Sequence, residues 1–467
     1  MEINSYDISQ SYIHRAQIAQ LSINKLHQAE VDQLAYCCGQ TIYNHAPLLA
    51  QRAVDETGLG NVADKIAKKR SKAETTWNEI KDKKTVGIIR RDYEKRMIVY
   101  GEPVGVIAGV APCTNPIATA MFYAMICLKT RNALILSPHP KAIECTKLAV
   151  DLMRASIAFA KLPDDIIQVI EEPQLNHHQT LDLTSQIMSQ ADMVIATGGP
   201  KLVEVAYQCG RPAYGVGAGN TPVYLHHSVD VRSALEKIIS GRAFDNGIIC
   251  ASEQHLLVPR PMVPQLQAVA DELGAYIVQD PDEIERLNAG ILDSRQHLRP
   301  EFIGKSIQTI AQEVGLPIKK HIKVLIVALN REDIGVSYYS GEKLCPILSL
   351  LVVDSHGEAI SCANQLLDFQ GRGHSAAIHI DEHNHEEDLL SFASAMPATH
   401  IIVNMPAATS SGGSRFNWLT PSSTLGCGAY GKTMPMETIN LTVKQLINYK
   451  AVAMPLERSR IPEAIFA

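Results

Sequence analysis

V-G-V-I-A-G-V-A-P-C-T-N-P, residues 104–116, is the stretch that sets the architecture. Val104 to Val110 is short, apolar and bounded by turn residues, so it reads as a buried strand. Pro112 to Pro116 breaks it, and a helix through Met125 and Leu128 follows. The alternation continues downstream. Residues 132–137 form a second buried strand, with a helix starting near Pro140. Residues 165–170 form a third, with a helix over 179–189. Residues 193–197 form a fourth, which Gly198-Gly199-Pro200 turns into a helix from Lys201. Strands and helices taking turns at this spacing predict a parallel sheet covered on both faces, the doubly wound α/β class.

Upstream, residues 8–56 read as helices, with Val31, Leu34, Ala35, Cys38 and Ile42 on one face. Gly58 and Gly60 stop them, and a basic, exposed helix runs through Lys68, Lys69 and Arg70. Residues 93–100 form a strand that Gly101-Glu102-Pro103 breaks. A second α/β region begins near Pro222, with strands at 254–258, 275–278, 324–328, 348–353, 375–379 and 401–403. Ser410 to Gly413 is a loop, and residues 445–453 alternate like a strand. The whole reads as two α/β lobes with a spare strand at each flank.

Length and composition agree with this reading. The 467 residues suggest two or three domains. A formal charge of −6 without a basic block argues against nucleic acid or an anionic membrane surface as partner. No apolar run is long enough for a transmembrane helix and no signal peptide opens the chain, so a cytoplasmic protein is expected. The ten cysteines show neither CxxC pairs nor zinc spacing and read as reduced thiols. Asp381-Glu382-His383-Asn384-His385-Glu386 is best read as a solvated loop or helix start, because no further ligand stands beside it at motif spacing. No metal is expected.

Chemistry concentrates in S-G-R-A-F-D-N-G-I-I-C-A-S-E-Q, residues 240–254. Asn246-Gly247 reads as a turn, and Cys250 follows among small and polar residues. That context suits a thiolate nucleophile as well as a small buried hydrophobe. Thr197-Gly198-Gly199 joins a strand to a helix and could cradle phosphate or be a plain turn. Gly215-Val216-Gly217-Ala218-Gly219 does not open a helix after a strand, so it fails as a dinucleotide fingerprint. Asn115, between two prolines at a strand end, could donate to an oxyanion or cap the next helix. His374 could be a general base or a hydrogen-bonded histidine near a strand start, and Glu342 a surface carboxylate.

Taken together these residues resemble the coenzyme A-acylating branch of the aldehyde dehydrogenase superfamily, close to the aldehyde dehydrogenase half of bifunctional aldehyde–alcohol dehydrogenases. The motifs are F-D-N-G-I-I-C-A-S-E-Q, P-C-T-N-P, A-T-G-G-P and E-K-L-C-P, with V-D-E-T-G-L-G (54–60), L-K-T-R-N-A (128–133), S-P-H-P-K-A (137–142), G-A-G-N-T-P (217–222) and S-S-T-L-G-C-G (422–428). They run through residues 8–450. The resemblance implies a Rossmann-like nucleotide-binding lobe (1–90 and 105–224), a catalytic lobe (225–435) and an oligomerisation arm (91–104 and 436–467), hence a homodimer or tetramer.

The resemblance also implies roles. Cys250 would attack the aldehyde, and the Asn115 amide with the Cys250 N–H would hold the oxyanion. Glu342 would bind the nicotinamide-side ribose, and Ser137 with Thr197, Gly198 and Gly199 the rest of NAD. Pro140 stands near the place of the carboxylate that grips the adenosine ribose in many members, which leaves NADP open. Hydrolytic members carry a water-activating glutamate where this chain has Gly215 to Asn220. Coenzyme A, assisted by His374, is therefore expected to take the acyl group. The expected substrate is a short aldehyde, acetaldehyde first. Arg415 reads as a surface residue or as a grip on an anionic aldehyde such as sulfoacetaldehyde. An acyl-phosphate reductase of the same superfamily and a non-catalytic nucleotide-binding protein are the competing readings.

Overall fold

The computed structural model describes residues 5–425 and 440–461. Four helices come first: α1 Ser5–Ile23, α2 Gln28–Asn44, α3 Ala46–Thr57 and α4 Val62–Ile80. Strands β1 Gly87–Asp92 and β2 Met97–Pro103 form an antiparallel pair. The alternating region is β3 Val106–Ala111, α5 Pro116–Lys129, β4 Ala133–Pro138, α6 Ile143–Ser156, β5 Ile167–Val169, α7 His177–Gln190, β6 Met193–Thr197, α8 Pro200–Gln208 and β7 Ala213–Val216. A second such region holds β8 Thr221–Leu225, α9 Val231–Ala243, β9 Glu253–Pro259, α10 Val263–Leu273, β10 Ala275–Val278, α11 Pro281–Ile291, α12 Ile307–Val314 and β11 Val324–Ala328. It continues through β12 Ile347–Val353, α13 His356–Phe369, β13 Gly373–His379, α14 Glu386–Ala395, β14 Ala398–Val403 and α15 Ala407–Ser410, and β15 Ile447–Ala453 follows.

Both large sheets are parallel. The first has the order β5-β4-β3-β6-β7, so the chain reverses its direction of winding between β3 and β6. At such a reversal the loops leaving the strands diverge and open a crevice at their carboxyl ends. Here those loops carry Asn115 and Gly198-Gly199. Helix α5 is buried along its whole length, as expected of a helix apolar on every side, and one continuous apolar core joins α1–α3 and α5–α7 to the first sheet. The second sheet, β10-β11-β12-β9-β8-β13-β14, has an apolar core on each face. A third sheet, β1-β2-β15, is antiparallel.

The expected α/β class and two parallel sheets are present, with corrections at the boundaries. Strand β8 hydrogen-bonds to β9 and β13, so the second sheet begins at Thr221, beside the expected start of the second region near Pro222. Strand β2 is not broken at Gly101-Glu102-Pro103, because β15 pairs with it up to Ile447↔Pro103. Pro103 sits beyond the end of β1, whose register stops at Gly87↔Gly101, so its missing N–H leaves no ladder bond unmade on that side. The outer pairing also begins earlier than expected, at Gly87. The strand expected over 165–170 is confined to Ile167–Val169, and the expected loop at 410–413 is preceded by one helical turn. The end of the S-S-T-L-G-C-G motif (426–428) lies outside the described residues.

The largest departure is α4. It was expected to be an exposed basic helix, yet Lys65 and Lys69 are almost wholly buried and Lys68 and Lys72 partly so. Their spacing of three and four residues puts all four on one face, and that face turns inward.

Candidate active site

Cys250 lies between α9 and the amino end of β9, on a backbone that sequence alone only hinted at. Asp245 (φ 50°), Asn246 (φ 54°) and Gly247 (φ 73°) are three consecutive left-handed residues. For a residue with a Cβ this region costs roughly 1–2 kcal/mol, so the surroundings must hold the turn. Asp245 is buried and accepts from Lys68 Nζ (2.6 Å), Lys65 Nζ (3.1 Å) and the Asn61 N–H (3.1 Å). Its own N–H donates to Asp64 Oδ2, and Asn246 Nδ2 donates to the Gly304 carbonyl. Gly60 is required beside it, since a Cβ there would lie 1.9 Å from Asp245 Oδ1.

Lys68 also reaches the Thr114 carbonyl (3.5 Å), next to Asn115. One ammonium therefore ties the loop after β3 to the turn before Cys250. Asn115 occupies the N-cap position of α5, but its side chain does not cap the helix. Of the two readings of this residue, the cap is the one the structure removes.

Gly219 packs on Cys250 so closely that a Cβ would lie 1.6 Å from the Cys250 carbonyl oxygen, whereas a Cβ at Gly217 would meet nothing within 4 Å. Beneath the loop, Arg242 is buried and donates to Ser252 Oγ and the Cys345 carbonyl, and Asn220 Oδ1 meets His255 Nε2 at 2.8 Å. Burial pushes the Cys250 thiol up to about 12, and the nearby Glu342 carboxylate adds to this. Lys68 and the backbone N–H groups of Ala251 and Cys250 pull it down. The resting group is the thiol, so reaction requires its proton to leave.

Glu342 is no surface carboxylate. Burial raises it to about 7 against the pull of Arg242, the Gly219 N–H and Lys343. It stands beside the same glycine that packs on Cys250. His374 is buried, with Nδ1 2.9 Å from Ser375 Oγ and Nε2 without a partner among the described residues. Burial, helped by His400, lowers its pKa to about 3, so it is neutral. It lines a cleft of ≈ 390 Å³ between the two sheets, together with Pro200, Val203, Gly215, Gly217 and Gln370. Glu204 and Asp368 also line the cleft, and the glycine-rich stretch itself, Gly215 to Ala218, carries no carboxylate.

The nucleotide positions divide. Gly198-Gly199 opens α8 at the carboxyl end of β6, and a Cβ at Gly199 would meet nothing within 4 Å, which leaves room for a phosphate at the helix start. The Thr197 hydroxyl is engaged with Tyr123 (2.9 Å) and Thr424 (3.2 Å), and the Ser137 hydroxyl with Thr184 (2.7 Å). Arg415 pairs with Glu74 Oε2 at 2.5 Å on an exposed surface, which is its surface reading.

The sequence reading missed the lysines of α4, Asp245 and Arg242. A usable signal existed: Lys65, Lys68/Lys69 and Lys72 recur at helical spacing. Lys72 Nζ donates to the Gly412 and Ser422 carbonyls (2.8 Å each).

The profile of the aldehyde dehydrogenase family matches residues 5–414. The chain is 37% identical over 453 residues to the succinate-semialdehyde dehydrogenase (acetylating) of Clostridium kluyveri, covering 96% of each chain. It is 36% identical to a sulfoacetaldehyde dehydrogenase from an Acholeplasma species, over 94% of this chain and 89% of that one. The crystal structure of an acetylating aldehyde dehydrogenase from Geobacillus thermoglucosidasius superposes with a TM-score of 0.90 at 37% identity, covering 98% of both chains.

Proposed function

The chain belongs to the aldehyde dehydrogenase family and to its acylating branch, and from that premise we propose that it converts a short aldehyde, coenzyme A and NAD(P)+ reversibly into acyl-CoA and NAD(P)H. The observation that carries this reading is Cys250 on its left-handed turn, facing a glycine-rich wall that has no water-activating carboxylate.

The Cys250 sulfur, once its proton has left, bonds to the aldehyde carbon, and the carbonyl oxygen becomes an oxyanion. The Asn115 amide, free of any capping duty, and the Cys250 N–H donate to it. Losing one such donor commonly costs a few kcal/mol of barrier. NAD(P)+, when bound, accepts the hydride that leaves the former aldehyde carbon. Gly198-Gly199 and the start of α8 fit its phosphates, and Glu342 fits its ribose. The acyl group then remains on Cys250 as a thioester. The coenzyme A sulfur takes it, Cys250 is released, and the thiol proton has a neutral acceptor in His374 Nε2.

Two features support an anionic aldehyde over acetaldehyde: α4 turns its lysine face inward, and Lys68 binds Asp245 in the turn that leads to Cys250. Two of the relatives named above are dehydrogenases of succinate semialdehyde and sulfoacetaldehyde, both anionic. The arm strand β15 leaves Tyr449 and Val452 exposed, which supports a homodimer or tetramer built on that edge.

The test is NADH or NADPH formation from acetaldehyde, propanal, succinate semialdehyde and sulfoacetaldehyde, each with and without coenzyme A. Turnover that ignores coenzyme A, or full activity in Cys250→Ala, refutes the mechanism. Equal kcat/KM for neutral and anionic aldehydes refutes the anionic preference.

A further inference from the structure

The histidines set aside in the sequence acquire partners in space. At the carboxyl end of the second sheet, His226 leaves β8, His356 opens α13 and His385 caps the start of α14, whose first turn carries Asp388. His226, His356 and Asp388 can each bring one ligand atom within 4.8 Å of the others, and so can His226, His227 and His385. His226 Nε2 lies 3.2 Å from Asp388 Oδ2, His385 Nδ1 lies 3.6 Å from the same oxygen, and His356 Nε2 lies 4.0 Å from Oδ1. Two ligands of a tetrahedral zinc ion, each about 2.0–2.2 Å from the metal, stand roughly 3.3 Å apart. The separations from Asp388 bracket that edge, and His356 and His385 are both half-exposed.

His226 is completely buried; its Nδ1 meets Ser228 Oγ at 2.8 Å and accepts from the Ser228 N–H at 3.3 Å, so binding a metal through Nε2 requires the imidazole proton to move to Nδ1, toward Ser228 Oγ. Ser228 Oγ is fixed in turn by the Asp381 N–H. His356 Nδ1 is buried without a partner. Several imidazoles around one half-exposed carboxylate cannot all be protonated cheaply, since like charges repel at this distance. Cys250 lies at the other end of the sheet, separated from His226 by the length of β8, about 17 Å at some 3.3 Å per residue.

We propose that His226, His356, His385 and Asp388 form a site for one divalent transition-metal ion of the zinc type, which clamps the starts of α13 and α14 to the end of β8.

The test uses the full chain, stripped with a chelator and alkylated with iodoacetamide so that no thiol can bind metal. Zn2+ alone is titrated against a chromogenic competitor, and Co2+ absorption reports the donors. One equivalent should bind, the melting temperature should rise, and the cobalt spectrum should show tetrahedral d–d bands without a thiolate charge-transfer band. The variants His356→Gln and His385→Gln, checked for an unchanged fold without metal, should each weaken binding at least tenfold. No uptake by the alkylated protein, a thiolate band in unalkylated protein that disappears on alkylation together with binding, or wild-type affinity in both variants overturns the proposal.

Discussion

Replacing Lys69 by Met should stabilise the protein, and the size of the effect can be worked from its surroundings. Lys69 as a residue is 3% exposed, and its ammonium has no hydrogen-bond or ion-pair partner among the described residues. Burial first, and then the charges of Lys68 and Lys65, lower its pKa from 10.5 to about 7. At 1.36 kcal/mol per pKa unit, holding this group in the fold at neutral pH costs about 4 kcal/mol. Between pH 7 and 10 the unfolded chain binds a proton at this lysine and the folded chain does not. Stability therefore rises with pH through that window, by about 1.4 kcal/mol per pH unit from this residue. Lys65 and Lys72, each lowered to about 8 mainly by burial, add to the slope.

Met keeps the stem and removes the charge, so Lys69→Met should gain about 3–4 kcal/mol at pH 7 and lose one proton's worth of slope. Urea unfolding of both proteins at pH 7.0, 7.7 and 8.4 measures this and stays below the range where buried thiols dominate. Equal or lower stability of the variant at pH 7, or an unchanged difference across the three pH values, refutes the reasoning.

Three further changes probe the machinery around Cys250. Glu342 is raised to about 7, so the rate of acyl-CoA formation should climb through pH 7 as the carboxylate forms, and Glu342→Gln should flatten that limb of the pH profile. Gly247→Ala places a Cβ 2.8 Å from the Cys345 carbonyl at φ +73°, which should lower stability by roughly 3 kcal/mol in urea unfolding and slow Cys250 alkylation or leave it non-specific. Gly217→Glu puts a carboxylate into open space on the wall of the cleft, so NADH formation without coenzyme A should rise at least tenfold while the coenzyme A-dependent rate falls; the same change at Gly219 should not fold, because Cys250 fills its place.

What the sequence made legible follows from the range of the interactions. The alternation over 104–216 could be read because strand burial and helix periodicity are local, and Cys250 stood out because Asp245-Asn246-Gly247 announces its turn within five residues. Lys65 and Lys68 were misread because their carboxylate, Asp245, lies 180 and 177 residues further on. A row of lysines with no acid at i±4 looks like a solvated face until the fold supplies the anion. The histidines at 383 and 385 were set aside for the same reason, since His226 and His356 come from other strand ends. The misreading of α4 bears on the chemistry. One carboxylate, Asp245, both bridges the ammonium groups of Lys65 and Lys68 and holds the left-handed turn that presents Cys250, while Lys68 carries the constraint across to the loop of Asn115. Breaking a buried ion pair from one side costs about 3–5 kcal/mol. Loosening this one would let the turn before Cys250 and the loop of Asn115 drift apart, so the lysine face of α4 supports the proposed nucleophile and the proposed oxyanion donor together.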